Sequence, residues 1–385
     1  MITISFSNTD QILLGALLLV MCYQCFFYLR YLTIVHRKNK YTKKQSPKEF
    51  IYPNVSVIVC ARNEHINLQD YLHTLLTQDY PCFEVIVVND GSEDGTQLVL
   101  ERYAAQSKQL YTTFVPHGAR VISSKKLALT IGVKAAKYDH LLLTDADCRP
   151  QSAHWLREMM QGFAQHDGQT EVVLGYGAYF EKHSLLNSLI TYDTLFIGLQ
   201  YLGMAAAGHP YMGVGRNLAY KRETFFKNNG FRGMLGEQAG DDDLFVNKVT
   251  NAHNTAVVCT PDSITWSAPK TRWQDWLHQK RRHLSVSPHY KKSSKIQVGL
   301  EPFTRGLFYL LLIAIGIFGG FWAMCTAYAV WWLRLVMQLC VINISAYKLK
   351  SRLFGIEIVA YDILLPLISL YILITQPLHK KRMYW

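Results

Sequence analysis

The chain has 385 residues, half of them hydrophobic and 18% charged, with a net charge of +12 and eight cysteines. It is too apolar for a disordered protein and too poor in cysteine for a disulfide scaffold. At about 150 residues per domain, the length suggests two or three units. The basic excess is concentrated in two places. Seven basic residues and one acid lie between Arg30 and Tyr52, and eight and one lie between Lys270 and Leu300. Each cluster adjoins a long apolar segment, which is the pattern of a membrane protein whose soluble part is cytoplasmic. It argues against nucleic acid as a partner, because the segment between the clusters is close to neutral.

In chain order, residues 1–30 read as a retained transmembrane anchor. Gln11–Leu29 is almost uncharged and, at about 19 residues, long enough to cross a bilayer core. No basic residue precedes it and no small-residue cleavage site follows it, so it does not read as a signal peptide. Its Cys22-x-x-Cys25 pair lies in apolar sequence, where zinc ligation is not expected. Residues 31–53 form a basic juxtamembrane linker.

Residues 54–268 have a different character, with short β-rich runs alternating with helical stretches. Val55–Val59, Glu84–Val88, Leu110–Val115, His140–Thr144 and Glu171–Phe180 predict strands. Leu68–Thr77, Thr96–Ala105, Lys126–Ala136 and Ser152–Gln165 predict helices between them. The alternation predicts an α/β domain with a mostly parallel sheet, in which ligands bind beyond the carboxyl ends of the strands. Residues 269–300 read as a basic amphipathic interface region with a helix beginning near Thr271. Residues 301–385 read as a C-terminal membrane region of two or three spans. Gly306–Ile344 fits two spans broken near Gly319-Gly320, and Ile356–Thr375 fits another. Lys348, Lys350 and Arg352 precede that last segment and Lys380-Lys381-Arg382 follow it, yet both ends of one span cannot share a side. Either Ile356–Thr375 or part of 321–346 is re-entrant or interfacial, or the tail is an exception.

Several groups stand where chemistry is expected. Arg62-Asn63-Glu64 follows the first strand, and Asn89-Asp90-Gly91-Ser92 follows the second. Either is also compatible with a plain βα turn. Asp145-Ala146-Asp147 follows a buried strand, and two carboxylates so close repel each other unless a cation joins them. Oxygen ligands of this kind suit Mg2+ or Mn2+ beside phosphates. Gly240-Asp241-Asp242-Asp243-Leu244 supplies either helix-capping acids or a general base. Gln279-Lys280-Arg281-Arg282-His283 lies on a helix whose Trp273, Trp276, Leu277 and Leu284 form an apolar stripe. It suits anionic lipid or an arginine clamp on a diphosphate.

Taken in order, the Asn-Glu turn, Val-Asn-Asp-Gly-Ser, Lys-Lys-x-Ala-Leu, Asp-Ala-Asp, Asp-Asp-Asp-Leu and Gln-Lys-Arg-Arg-His resemble the family 2 glycosyltransferases. The likeness covers residues 54–290 and is to the membrane-embedded branch, which includes cellulose and hyaluronan synthases and ceramide glucosyltransferase. It implies a GT-A fold, Rossmann-like, in a cytoplasmic domain flanked by transmembrane helices. It further implies a multi-pass protein of the cell (inner) membrane. Arg62, Asn63, Glu64, Asp90, Asp145 and Lys126 (or Lys125) would border the nucleotide-sugar. Asp145 and Asp147 would hold the metal. Asp241 would be the base, with Asp242 its rival because Gly240 replaces the family's usual Glu. Gln279, Arg281 and Arg282 match the Gln-x-x-Arg-Trp motif at the diphosphate, with His283 in place of Trp. Gly213 and Arg216, in Tyr211-Met212-Gly213-Val214-Gly215-Arg216-Asn217, would sit beside the acceptor.

The expected activity is inverting, metal-dependent transfer from a nucleotide-diphosphate sugar, UDP-linked by preference, to a lipid-linked or membrane-proximal acceptor. One rival is a processive polysaccharide synthase. The short C-terminal region and the missing Trp count against it, although an oligomer would supply further helices. The other is a non-catalytic nucleotide-sugar-binding scaffold, which should have lost some of the carboxylates retained here.

Overall fold

The computed structural model describes residues 5–36, 51–116, 124–234, 237 and 239–379. Most of the basic linker, residues 37–50, and the Lys380-Lys381-Arg382 tail lie outside the described residues.

The central sheet has seven strands in the order β3-β2-β1-β4-β8-β6-β9. β1 (Val55–Ala61), β2 (Phe83–Asn89), β3 (Leu110–Phe114) and β4 (His140–Asp145) are mutually parallel. β8 (Leu218–Lys221) is antiparallel to its neighbours β4 and β6 (Val172–Leu174), and β9 (Thr255–Val257) closes the edge parallel to β6. β1 and β2 read Val-Ser-Val-Ile-Val-Cys-Ala and Phe-Glu-Val-Ile-Val-Val-Asn and are buried almost throughout. Runs of this kind suit a parallel sheet covered on both faces. One cover is α2 (His65–Leu76), α3 (Thr96–Gln106) and α5 (Trp155–Gln161), through Leu68, Leu72, Val99, Trp155 and Met159. The other is α4 (Ser124–Ala135), α6 (Leu185–Ala206) and α8 (Asp243–Val249), through Ala128, Val133, Leu195 and Phe245. Each fully buried Val, Leu, Ile or Phe contributes about 1.5–3 kcal/mol. α4 lies so close to β1 that a Cβ on Gly132 would come within 2.6 Å of Ile58 Cγ2.

Register positions the chemistry. Ala61 pairs with Asn89, and Cys60 pairs with Asp145. β1, β2 and β4 therefore end at one level, and Arg62, Asp90 and Asp145 leave the sheet along one edge.

The expected single strand over Glu171–Phe180 is instead two short strands, β6 and β7 (Gly177–Tyr179), in different sheets. β7 joins β5 (Cys148–Pro150) and β10 (Thr265–Ser267) in a three-stranded sheet, in the order β5-β10-β7. Asn217 forces the break. Its Nδ2 donates to Tyr176 O (2.9 Å) and Ser263 O (2.7 Å), and its Oδ1 accepts from Trp155 Nε1 (3.0 Å). The helix expected over Ser152–Gln165 is shortened to α5 followed by a 3-10 turn, Gly162–Ala164. α6 has no counterpart among the expected elements. It is buried on nearly all sides and shows no amphipathic period to read. Ser184 caps it by accepting from the Asn187 N–H (3.0 Å). α7 (Arg222–Lys227) completes the domain.

Among the described residues, four helices are long and apolar enough to cross a membrane: α1 (Asn8–Phe27, continuing as a π-helical turn to Leu32), α10 (Lys292–Phe318), α11 (Phe321–Lys348) and α12 (Glu357–His379). α10 begins inside the segment read as interfacial, after α9 (Trp273–Leu284). Paired levels align the membrane helices. Asp10 accepts from the Gly320 N–H (2.9 Å), Gln24 Nε2 donates to Thr304 Oγ1 (2.8 Å), Gln338 Nε2 donates to Tyr28 OH (2.8 Å) and Ser345 Oγ donates to Leu32 O (3.3 Å). α1 thus runs parallel to α11 and antiparallel to α10. At mid-height Arg334 pairs with Asp362 (2.6 Å), and Arg305 pairs with Glu301 (2.5 Å) and Asp362 (3.5 Å). This cluster is buried and has no net charge. α6 bridges the domain and the membrane helices, so close to the π turn that a Cβ on Gly203 would collide with Tyr31 O.

Candidate active site

A cleft of about 690 Å3 opens along the strand-end edge. Its walls include Arg62, Asn63, Glu64, Asp90, Lys125, Asp145, Asp147, Arg216, Gln279 and Arg282, which the sequence places in six separate segments. The first two turns are tied together. Asn63, at φ 56° in the left-handed region that asparagine tolerates, donates its N–H to Ser92 Oγ (3.0 Å) and accepts from the Glu93 N–H (2.8 Å). The Glu64 N–H donates to Thr96 Oγ1 (2.9 Å), and His65 Nδ1 meets Asp94 Oδ2 at 2.7 Å. These bonds make the turns after β1 and β2 one rigid lip, with Asp90 buried beside it.

Asp145 and Asp147 stand at the end of β4. Their carboxylate oxygens and Cys148 Sγ lie within 4.8 Å of one another. Burial and the neighbouring Asp145 push the Asp147 carboxyl above its ordinary range, which Arg216 and Lys125 only partly offset. The donor set fits a hard divalent cation. The thiol is buried and pushed well above its ordinary value by that burial, so the two carboxylates are the ligands to expect.

Lys125, rather than Lys126, faces this cluster. Its Nζ donates to Asp145 Oδ1 (3.0 Å) and lies 3.3 Å from Asp241 Oδ2. Burial alone would strip its proton, but Asp145, Asp241 and Asp242 together outweigh that and hold the ammonium well above its ordinary value. Lys126, one residue on and so turned about 100° around the helix, is fully buried. Its Nζ donates to the carbonyls of Met234 (2.7 Å), Glu237 and Ala239 (2.8 Å). The expectation that Lys126 borders the nucleotide is corrected: it fastens the segment leading into the acidic run.

The three acids of that run have three different settings. Asp242 Oδ1 accepts from the Asp243 N–H (2.9 Å) and Oδ2 from the Gly215 N–H (2.7 Å). It is the N-cap of α8. Burial opposes its ionisation, but bonds from Asp243 and Gly215, with Lys125 nearby, hold it below the usual carboxylate range. Asp241 is pushed up by burial, which Lys125 only partly offsets. Asp243 is pushed well up by burial and by Asp242, and accepts from Tyr290 OH (3.0 Å). A carboxylate already saturated by two backbone donors suits structure; a partly buried one with a raised value suits proton acceptance.

α9 closes the cleft. Trp276 is buried beneath it, Lys280 Nζ pairs with Asp193 Oδ1 of α6 (2.8 Å), and Gln279 Nε2 donates to Tyr179 OH (3.0 Å). Gln279 and Arg282 line the cleft, while Arg281 lies outside its lining. Arg216 donates to the carbonyls of Ala178 (3.1 Å) and Gly177 (3.0 Å) and to Ser267 Oγ (2.8 Å), with its guanidinium over the Tyr179 ring. Gly213, expected beside an acceptor, is packed in the core instead. A Cβ there would meet Leu174, Val246 and Leu218 at 3.0–3.3 Å. Its neighbour Gly215 holds Asp242. Tyr179, Lys270, Asp275 and His278 also line the cleft and escape the sequence reading, because no motif spacing links them to the strand ends.

Comparison with known proteins points one way. Residues 56–225 match the family model described as Glycosyl transferase family 2. The chain is 25% identical over 242 residues to the "Probable glycosyltransferase YdaM" of Bacillus subtilis (strain 168), over 60% of this chain and 54% of that protein. It is 30% identical over 93 residues to the "Poly-beta-1,6-N-acetyl-D-glucosamine synthase" of Staphylococcus epidermidis, over 24% of this chain and 21% of that one. It therefore spans about half, or less, of the length of these curated relatives. Among solved structures, the "Mannosyltransferase PcManGT from Pyrobaculum calidifontis in complex with GDP-Man and Mn2+" superposes with a TM-score of 0.57 at 20% identity, over 88% of this chain and 98% of that one. At that identity the likeness is one of fold, and it gives the GT-A arrangement to the domain described above.

Proposed function

Since the chain belongs to the family 2 glycosyltransferases, we propose that it transfers a sugar, with inversion, from a nucleotide-diphosphate donor to an acceptor presented at the membrane. The observation that carries this reading is the chain Asp145–Lys125–Asp241, in which one lysine joins the candidate metal carboxylate (3.0 Å) to the candidate base (3.3 Å). Asp90 and the lip around Asn63 border the base and ribose. Asp145 and Asp147 would hold Mg2+ or Mn2+, which would offset charge on the departing nucleoside diphosphate. Gln279 and Arg282 close over the diphosphate from α9, where charge-assisted hydrogen bonds are the strong ones.

Asp241 takes the proton of the acceptor hydroxyl as that oxygen attacks the anomeric carbon. The new C–O bond forms opposite the leaving group, and the bond to the diphosphate breaks with its electron pair going to phosphate oxygen. One displacement inverts the centre. Lys125 keeps Asp241 from sharing its site with an uncompensated Asp145. The apolar helices and the basic flanks support a multi-pass protein of the cell membrane with the domain on its cytoplasmic side. A UDP-sugar is the first donor to test.

The test is release of nucleoside diphosphate from UDP-, GDP- and dTDP-sugars by the full chain in membrane lipids, with Mn2+ or EDTA, beside Asp147→Asn and Asp241→Asn. Metal-dependent turnover of one donor, lost in both variants, is expected. Absence of both turnover and donor binding overturns the proposal.

A further inference from the structure

The donor cleft does not end at α9. It shares Tyr179, Arg216 and Gln279 with an inner pocket of about 220 Å3. That pocket shares Asp193, Gln200, Lys280, Leu284, Tyr290 and Val298 with a groove of about 330 Å3 between α9, α10 and α12. The three spaces adjoin through these shared walls, from the carboxylates at the end of β4 to the surface of two apolar helices. The groove presents apolar surface from Ile197, Leu284, Val298, Leu365 and Leu373, interrupted by charged residues at Asp193, Lys280, Lys295, Glu301 and Arg305. Both helices carry a proline there, Pro302 and Pro366. Proline removes a backbone donor and bends a helix, which opens the space between facing stretches. Gly299 also lines the groove and meets nothing within 4 Å of where a Cβ would stand.

Three of the cations along the inner pocket and groove are already engaged. Lys280 pairs with Asp193 (2.8 Å), Arg305 with Glu301 (2.5 Å), and Arg216 has three oxygen acceptors. Lys295 donates to Pro288 O (3.0 Å). A phosphate needs cationic donors that are not already engaged; a hydroxyl needs only one or two neutral partners. Tyr290, Gln200 and Ser287 at the neck supply these.

Resting on the transferase reading above, we propose that the acceptor is a membrane lipid with an uncharged hydroxyl headgroup of the diacylglycerol class. It reaches the site sideways, with hydrocarbon in the α10–α12 groove and the hydroxyl passing the Lys280–Asp193 neck. The inner pocket adjoins the donor cleft through Tyr179, Arg216 and Gln279, so the hydroxyl arrives beside the bound donor.

The experiment uses the full chain in phosphatidylcholine vesicles with a radiolabelled donor. The vesicles carry dioleoylglycerol or a polyprenyl phosphate, or a soluble oligosaccharide is added outside. Label is expected in organic-soluble glycolipid with dioleoylglycerol. Gly299→Trp, or Ser369→Trp from the opposite wall, should raise the KM for that lipid by about ten-fold or more, a change of about 1.4 kcal/mol. Gly316→Trp, on the same helix but away from the groove, is expected to behave as the wild type. Donor binding by calorimetry reports whether each variant is folded. Transfer to polyprenyl phosphate or oligosaccharide in place of dioleoylglycerol overturns the inference, as does equal behaviour of the Gly299 and Gly316 variants. Failure of the wild type to bind any donor overturns the transferase reading itself.

Discussion

Asp241 and Asp242 are neighbours in sequence with opposite surroundings, and substituting each separates two roles. Asp242→Ala removes the α8 cap, worth about 1 kcal/mol. It also removes a charge-assisted bond from the Gly215 N–H at 2.7 Å, worth about 1.5–3 kcal/mol. The expected loss is about 2–4 kcal/mol, or about 5–15 °C in Tm for a domain of this size. Asp241→Asn keeps the shape and leaves Lys125 its bond to Asp145 at 3.0 Å. Because burial raises the Asp241 carboxyl above its unfolded value, this group favours folding at acid pH, and that contribution is lost as pH rises through the raised value. At neutral pH its removal should leave Tm unchanged or higher, while kcat falls by about 10²–10⁴, the usual contribution of a general base. Asp242 has the reverse linkage. Its lowered value stabilises above the ordinary carboxylate range and is lost as pH falls, so Asp242→Ala should flatten the acid-side decline in Tm. Differential scanning fluorimetry and steady-state turnover on the full chain read both effects. An Asp241→Asn enzyme keeping more than about a tenth of its kcat would refute the assignment, as would an Asp242→Ala protein that melts like the wild type.

Other expectations follow from the same geometry. Manganese affinity, followed by electron paramagnetic resonance, should fall by at least about ten-fold in Asp147→Asn, since even outer-shell changes cost that much at metal sites. Lys126→Met leaves three buried carbonyls without their ammonium, so limited proteolysis should cut faster around residues 234–239. Lys125→Met should leave cutting there unchanged and weaken donor binding instead. Turnover should decline on the acid side as the raised Asp241 carboxyl takes up its proton, with the limb displaced above the ordinary carboxylate range; a pH–rate profile reads this directly. In detergent, Asp362→Leu should destabilise by about 3–5 kcal/mol, because it leaves Arg334 buried without a countercharge while Arg305 keeps Glu301, visible as lost monodisperse protein on gel filtration.

What the sequence reveals depends on whether a residue's role is local. The parallel strands β1, β2 and β4 are legible as runs of β-branched residues, and Asp90, Asp145 and Asp147 are legible because each ends such a run. The choice between Lys125 and Lys126 is not. Both fit the motif, and only the rotation of α4 relative to Asp145 and to the 234–239 carbonyls separates them. Gly213 and Gly215 present the same ambiguity, since either suits a small-residue loop until packing puts one in the core and the other on Asp242. α6 escapes because a helix buried all round has no polar face to supply a period. The split of 171–180 into β6 and β7 depends on Asn217, some forty residues later, and no reading confined to a local window holds both. The membrane helices are the reverse case, since composition alone marks α1, α10, α11 and α12.

The seam between α1 and the C-terminal helices has a consequence for biosynthesis. Gln24 finds Thr304, and Arg334 finds Asp362 and Gln24, across intervals of up to 310 residues. At about 5–20 residues per second, some 15–60 s separate synthesis of α1 from that of its partners. For that time Gln24 lacks these partners. The polar seam between α1 and the last three helices therefore closes only after α12 has been made, which makes that closure a late event in maturation.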